Sequence, residues 1–381
     1  MSEYHEYFNE SHNLLRQNLR RFIDREIVPY VDEWEEAGEI PRELYKKAGE
    51  IGFIGIGYPE EYGGTGSDTF LKIVAAEEII RAGSGGIAAS LGSHDIGLPP
   101  IVALGNEEQK KRLVAPVIKG KRIAALGITE PDAGSDVANI KTTAVRKGDE
   151  YIVNGSKMFI TSGYRADQVT CAVRTGEEGY KGISLLVIEK NSPGYSVSNK
   201  LKKMGWWASD TAQIFFDDCR VPVTNLLGNE GDGFFGIMNN FQSERLGLAV
   251  MATMTAQMAL EESIKYANER KAFNRPISGF QVTRHKLAEM ATMVEASREF
   301  NYRVASKMNA GVDQIKEVSM AKNFSCFVSD KVTYDAVQIH GGYGYMREYK
   351  VERLYRDNRI LSIGGGTTEI MNEIISKLML A

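Results

Sequence analysis

A change of hydrophobic period constrains this chain more than any other feature. Up to about residue 120, and again from about 232, apolar residues recur at helical spacing; between about 121 and 228 they alternate every second residue. Leu14, Leu15, Leu19 and Phe22 mark the first helical face, Phe70 to Arg81 a later helix, and Asn106 an N-cap before Glu107-Glu108-Gln109. The Gly- and Ser-rich stretch from Gly83 to Gly97 suggests close backbone packing or a pocket wall. In the middle region Val169–Val173, Ile183–Ile188, Tyr195–Val197 and Thr211–Phe216 read as short strands, and Asp217 to Pro222 as its close. One long helix is predicted from Gly233 to about Arg270, with others over roughly 280–310, 314–340 and 347–361. Gly341-Gly342-Tyr343-Gly344 and Gly364-Gly365-Gly366 interrupt them. The expectation is an α+β multidomain chain: an N-terminal helical domain (1–120), a middle β-barrel or β-sandwich domain (121–228) and a C-terminal helical domain (229–381).

Within the β-region, Leu126 to Gly163 carries the densest chemistry. The apolar run Ile123 to Ile128 ends at Thr129-Glu130-Pro131, and Asp132-Ala133-Gly134-Ser135-Asp136 follows. Pro131 lacks an N–H and Gly134 can take positive φ, so the chain leaves its strand there and exposes amides and hydroxyls suited to an oxygen-rich ligand. Lys147-Gly148-Asp149 and Asn154-Gly155 read as turns of a hairpin leading to Met158-Phe159-Ile160 and Thr161. On pattern alone, a plain β-meander with ordinary turns accounts for the stretch equally well.

Composition narrows the function classes. Hydrophobic content of 43% and charged content of 25% are those of a soluble globular protein, and a net charge of −4 with no basic block leaves no footprint for nucleic acid. Cys171, Cys219 and Cys326 are far apart and make no CxxC, which argues for reduced thiols and a cytoplasmic location. No apolar run approaches the ~20 residues of a membrane span. The N-terminus resembles neither a signal peptide nor a transit peptide, so a mitochondrial location would require a leader already removed. His5, His12, His94, His285 and His340 show no metal-ligand spacing, so no metal is expected.

Thr129-Glu130-Pro131-Asp132-Ala133-Gly134-Ser135-Asp136, followed by Lys157-Met158-Phe159-Ile160-Thr161-Ser162-Gly163, resembles the flavin-binding signature of the acyl-CoA dehydrogenase family. Arg270-Lys271-Ala272-Phe273 with Gln281, Gln338-Ile339-His340-Gly341-Gly342, and Arg356-Asp357 before a Gly-Thr turn continue the likeness in the family's order. The resemblance implies helical, β and helical domains, the last a four-helix bundle, in agreement with the periodicity. It also implies FAD, an acyl-CoA thioester substrate, an electron-transferring flavoprotein as partner, and a homo-oligomer, commonly a dimer of dimers.

Family members remove the proton α to a thioester while the β-hydrogen leaves as hydride. That step needs a positioned carboxylate and donors to the developing enolate oxygen. Many relatives place the carboxylate in a C-terminal Tyr-Glu-Gly-Thr, but this chain has Gly364-Gly365-Gly366-Thr367 there. Gly365 cannot abstract a proton. Glu244, on the first long C-terminal helix among Ile237, Phe241, Leu248 and Met251, is the replacement that the sequence offers, since an apolar stripe desolvates a carboxylate. A buried acid that merely pairs with a cation is the structural alternative, although Arg245 at the next position points off that face. The isovaleryl-CoA and long-chain members place their base at this helical position, and Glu244 with Gly365 looks like that arrangement.

The remaining roles follow from the resemblance. Leu126, Ile128, Thr129, Gly134, Ser135, Phe159, Ile160 and Thr161 would surround the flavin ring. Arg270, Phe273, Gln281, Gln338, Gly341 and Gly342 would hold pyrophosphate and adenosine across a subunit boundary, and Thr367 and Glu369 would lie near the cofactor at the last helix. Ser135, Gln242, Arg245 and Gly366 would contact substrate, and the Gly365 N–H would donate to the thioester oxygen. A same-fold oxidase or monooxygenase, and a non-catalytic acyl-CoA or flavin binder, are the alternatives. The absence of side chains at Gly364 and Gly365 suggests room for a branched or bulky acyl group.

Overall fold

A computed structural model of the protein describes residues 6–380, and His5 lies outside them. The N-terminal region is helical from Glu10–Glu26 through Thr69–Ile80 to Ala115–Ile118. Asn106 caps Glu107–Leu113 in a capping box with Gln109. The Gly83–Gly97 stretch proves to be a place of close packing. A Cβ on Gly85 would stand 2.3 Å from Trp206 Nε1, and one on Gly97 would stand 2.9 Å from the Ala125 carbonyl oxygen.

Eight strands form one mixed sheet: β1 (Ala124–Gly127), β2 (Thr143–Lys147), β3 (Glu150–Thr161), β4 (Gln168–Arg174), β5 (Ile183–Glu189), β6 (Tyr195–Val197), β7 (Thr211–Pro222) and β8 (Leu226–Leu227). The strand order is β6-β7-β3-β2-β4-β5-β8, with β1 parallel to β4. Alternation sorts the side chains of the central strands. Val169, Cys171 and Val173 of β4 and Leu186 and Ile188 of β5 share a core with Val153 and Ile160 of β3 and Ile214 and Cys219 of β7. Ala172, Leu185 and Val187 face the other way, onto Leu98, Ile101 and Leu113 of the N-terminal helices. The sheet therefore wraps one core and offers its outer face to helices. This two-sided burial explains why β4 and β5 read as nearly continuous apolar runs.

Two sequence expectations change here. Asn154-Gly155 is a bulge inside β3 and not a turn: the pairing with β7 shifts register between Val153 and Gly155, and Asn154 bonds the Asp218 side chain at 3.1 Å and its N–H at 2.8 Å. For the same reason the strand read as Thr211–Phe216 runs on to Pro222, bent at Asp218 (φ 46°).

The C-terminal region is built on a 37-residue helix, Gly233–Glu269, about 55 Å long. Helices Gln281–Asn309, Ile315–His340 and Thr368–Leu380 complete the bundle, and Lys350–Asn358 lies beside it. A small hairpin, β9 (Lys271–Ala272) with β10 (Arg275–Pro276), fills the gap between the two predicted helices, where no strand is expected. Phe273 (φ 49°) and Asn274 (φ 63°) make its two-residue turn, a conformation that the sequence does not announce because neither residue is glycine.

Candidate active site

The Gly364–Gly366 turn is where distant parts of the C-terminal bundle meet. Gly365 (φ 64°) and Gly366 (φ 101°) both occupy the left-handed region, which bends the chain from the end of the Arg359–Ser362 turn into the last helix. A Cβ on Gly365 would lie 2.5 Å from Leu248 Cδ1 and 3.3 Å from Glu244 Oε1. The Glu244 carboxyl thus sits directly against the turn, in space that a side chain at 365 would need. The same contact corrects the expectation of extra room at 365, because Leu248 already fills it. At Gly364 the nearest atom to such a Cβ is the Ile360 carbonyl oxygen at 3.6 Å, so that position remains more open.

Glu244 as a residue is half-buried, but its Oε2 is sealed from solvent with no hydrogen-bond partner among the described residues. Burial pushes the carboxyl up to about 7, against the pull of Arg245 and Lys322. Arg245, buried one residue on, reaches the same turn as Glu244. Its Nε donates to the Gly365 carbonyl at 3.4 Å, and its guanidinium stacks 5.4 Å from the Phe241 ring centroid. Gln242 is half-buried on the same helix. Thr367 Oγ1 accepts from the Ile370 N–H at 3.3 Å at the start of the last helix, where Glu369 is exposed.

The two halves of the Leu126–Gly163 motif are stitched together. The Met158 N–H donates to the Thr129 carbonyl at 2.7 Å, extending the β3 edge beside the end of β1. Fully buried Lys157 donates to the Ile128 carbonyl at 3.0 Å and to Glu130 Oε1 at 2.7 Å. Glu130 also accepts the N–H groups of Lys141 at 2.6 Å and Thr142 at 3.0 Å. Burial pushes the Glu130 carboxyl up, yet Lys157 and these donors outweigh it and hold the group below the usual carboxylate range. Sequence reasoning missed this pair, because a buried lysine and a surface lysine look alike without the partner. A second register shift, between Lys157 and Ile160, lifts Phe159 (φ 61°) out of the sheet, 63% exposed. Beside it Leu126 and Thr161 are half-buried, Ile128 and Ile160 are buried, and Gly134 and Ser135 lie open.

A second group gathers at the far end of the bundle. Arg270, Gly341 and Gly342 line a cavity of about 440 Å3 with Tyr266, Ile277 and Tyr343. Arg270 lies 5.6 Å over the Tyr343 ring, and a Cβ on Gly342 would meet nothing within 4 Å. Phe273, 89% exposed at the tip of the β9–β10 hairpin, and exposed Gln281 and Gln338 share this end. A cation, aromatic faces and open glycine backbone suit a nucleotide diphosphate. The exposed ring at Phe159 and the open Gly134-Ser135 loop suit a flat heterocycle. The residues present therefore fit a flavin dinucleotide, its two ends served by two separate patches.

Three family models account for nearly the whole chain: the acyl-CoA dehydrogenase N-terminal domain over residues 9–121, the middle domain over 125–219 and the C-terminal domain over 231–380. An acyl-CoA dehydrogenase of Bacillus subtilis is 43% identical over 369 residues, 96% of this chain and 97% of that one. The caffeyl-CoA reductase-Etf complex subunit CarC of Acetobacterium woodii is 39% identical over 98% of this chain and 99% of its own. Among solved structures, acyl-CoA dehydrogenase from Geobacillus kaustophilus superimposes with a TM-score of 0.95 at 41% identity, covering 98% of this chain and 99% of that chain. The FAD complex of an acyl-CoA dehydrogenase from Bacillus anthracis does so at 0.92 with 36% identity, over 99% and 68%. Helices, sheet and helical bundle correspond to the three domains over nearly the whole chain: the chain belongs to the acyl-CoA dehydrogenase family of FAD-dependent oxidoreductases acting on CH–CH bonds.

Proposed function

We propose that the protein converts an acyl-CoA thioester to the trans-2-enoyl-CoA with Glu244 as the base. One observation carries the assignment: an unpartnered carboxyl oxygen, sealed from water, on a group held up to about 7 and pressed against Gly365. In that setting the ionised carboxylate takes the α-proton, and the N–H of Gly365 donates to the thioester oxygen as negative charge builds there. Bound FAD supplies the acceptor for the β-hydride. Leu126, Ile128, Thr129, Gly134, Ser135, Phe159, Ile160 and Thr161 would hold its ring; Arg270, Phe273, Gln281, Gln338, Gly341 and Gly342 its pyrophosphate and adenosine; Thr367 and Glu369 flank the turn. Ser135, Gln242, Arg245 and Gly366 would orient the substrate. The electrons then leave to an electron-transferring flavoprotein, a reading supported by the Etf complex in which the A. woodii relative works.

The test is anaerobic addition of acyl-CoAs of different length and branching to the yellow protein and to Glu244→Gln. Bleaching in the wild type, and none in a variant that still binds the same thioester, is expected. Turnover retained by Glu244→Gln would remove the base assignment. The reductase activity named for the A. woodii relative favours one second reading, in which the same groups run the reaction toward the saturated thioester. Faster oxidation of the reduced protein by enoyl-CoA than reduction of the oxidised protein by acyl-CoA would establish that direction.

A further inference from the structure

Beneath the Gly364–Gly366 turn lies a charged group that the reaction as described does not use. Lys322, on the Ile315–His340 helix, is fully buried, and its Nζ donates to the Gly366 carbonyl at 2.6 Å. It is the only cation between Val318 and Asp330 on a stretch of small and apolar residues, so nothing on its own helix requires a charge there. Burying an ammonium is costly unless the charge is answered. The groups that face it electrostatically are Glu244 and Arg245 on the long helix and the Cys326 thiol one turn along its own helix. Desolvation holds the Lys322 ammonium below its ordinary value.

Two buried cations therefore grip successive carbonyls of one turn, Arg245 that of Gly365 and Lys322 that of Gly366. Because a peptide unit is planar and trans, fixing each C=O aims the N–H of the next residue the opposite way. With both carbonyls tied and both glycines at positive φ, the turn has little freedom left.

We propose that Lys322 is a positioning residue for the dehydrogenation: it locks the Gly365–Gly366 turn against Glu244 and supplies positive charge that keeps the base ionised. The inference rests on Glu244 being the base. When the α-proton moves to Glu244, negative charge passes from the carboxylate to the thioester oxygen beside the same turn. The Lys322 ammonium, held on the Gly366 carbonyl, stays beside the turn throughout, so the charge moves within a field that is already set.

The experiment compares Lys322→Met, which has neither charge nor donor, with Lys322→Gln, which keeps a donor but no charge. Each is purified as the flavin-loaded enzyme, with melting temperature and flavin content as controls, and kcat is measured with its pH profile on the best acyl-CoA. The acid limb of kcat is expected to move up by on the order of one pH unit in both variants, because the cation favouring the carboxylate is gone. In Lys322→Met, kcat at the plateau should fall a further ~10-fold, with a smaller change in KM, because the turn loses its tether. A wild-type acid limb in either variant that binds flavin overturns the proposal and leaves the lysine a structural role. Should Lys322→Met fail to fold, Lys322→Gln decides alone. Turnover in Glu244→Gln would instead overturn the base assignment, so the two failures are distinguishable.

Discussion

The burial that suits Glu244 to its proposed role carries a cost in stability, and the sign of that cost can be measured. Its carboxyl titrates near 7 in the folded protein, above the ordinary 4.5, so protonation favours the fold and ionisation opposes it. Glu244→Gln should therefore melt above the wild type at pH 8, the gap closing as pH falls toward 4.5, in calorimetric scans of the flavin-loaded proteins. The same titration gives kcat/KM an acid limb near pH 7, with activity lost below it as the carboxylate protonates. A limb near 4.5 would show a solvated carboxylate. Gly365→Ala should cost more than 100-fold in kcat and about 1–3 kcal/mol in stability. A methyl there meets Leu248 Cδ1 at 2.5 Å while the backbone is held at φ 64°. Trimming Leu248 to alanine is the change that would open room for a branched acyl group, read as a shift in kcat/KM toward branched thioesters.

The element that matters most to the proposed flavin patch is β3, which carries Lys157, Phe159 and Thr161 in its C-terminal half. Its hold on the preceding loop passes through the buried Lys157–Glu130 pair. Removing one partner of such a pair strands the other, a loss of about 3 kcal/mol or more. Glu130→Gln is expected to lower the urea midpoint accordingly and to weaken flavin retention. Because Lys157 and the amide donors hold the Glu130 carboxyl low, the wild-type advantage should exist above the usual carboxylate value and vanish as pH falls through the lowered one. Equal acid sensitivity in the two proteins would contradict this. The unusual φ at Phe159 is part of the same element: the bulge that strains the backbone is what turns the ring outward.

At the scale of the whole molecule, the patch on β3 proposed for the flavin ring and the patch around Arg270 proposed for its diphosphate lie on different domains, and the resemblance implies that they would serve one flavin across a subunit boundary. If one flavin bridges two chains, each site combines Glu244 of one with Arg270 of the other. Coexpressed Arg270→Ala and Glu244→Gln chains should then recover activity that neither has alone, up to about half per flavin, since one site in each mixed pair regains both residues. No recovery in isolated mixed dimers would mean that a single chain supplies both residues of each site.

The period change from helix to strand and back was readable from residues alone, because side-chain alternation is local. So were the long Gly233–Glu269 helix and the break at Gly364–Gly366, whereas the search for a base other than residue 365 came from the family resemblance. Alternation could not reveal the bulges at Asn154 and Phe159 or the Phe273 turn, where cross-strand pairing and contacts override intrinsic preference. Nor could it tell Lys157 and Lys322 from surface lysines, since a buried charge is defined by its partners. Arg245 and Gly365 are 120 residues apart in the chain, and only bundle packing closes that distance to a hydrogen bond. The sequence by itself determined which groups were available to this protein; the tertiary structure decided which of them meet, because burial and charge pairing belong to contacts between distant segments.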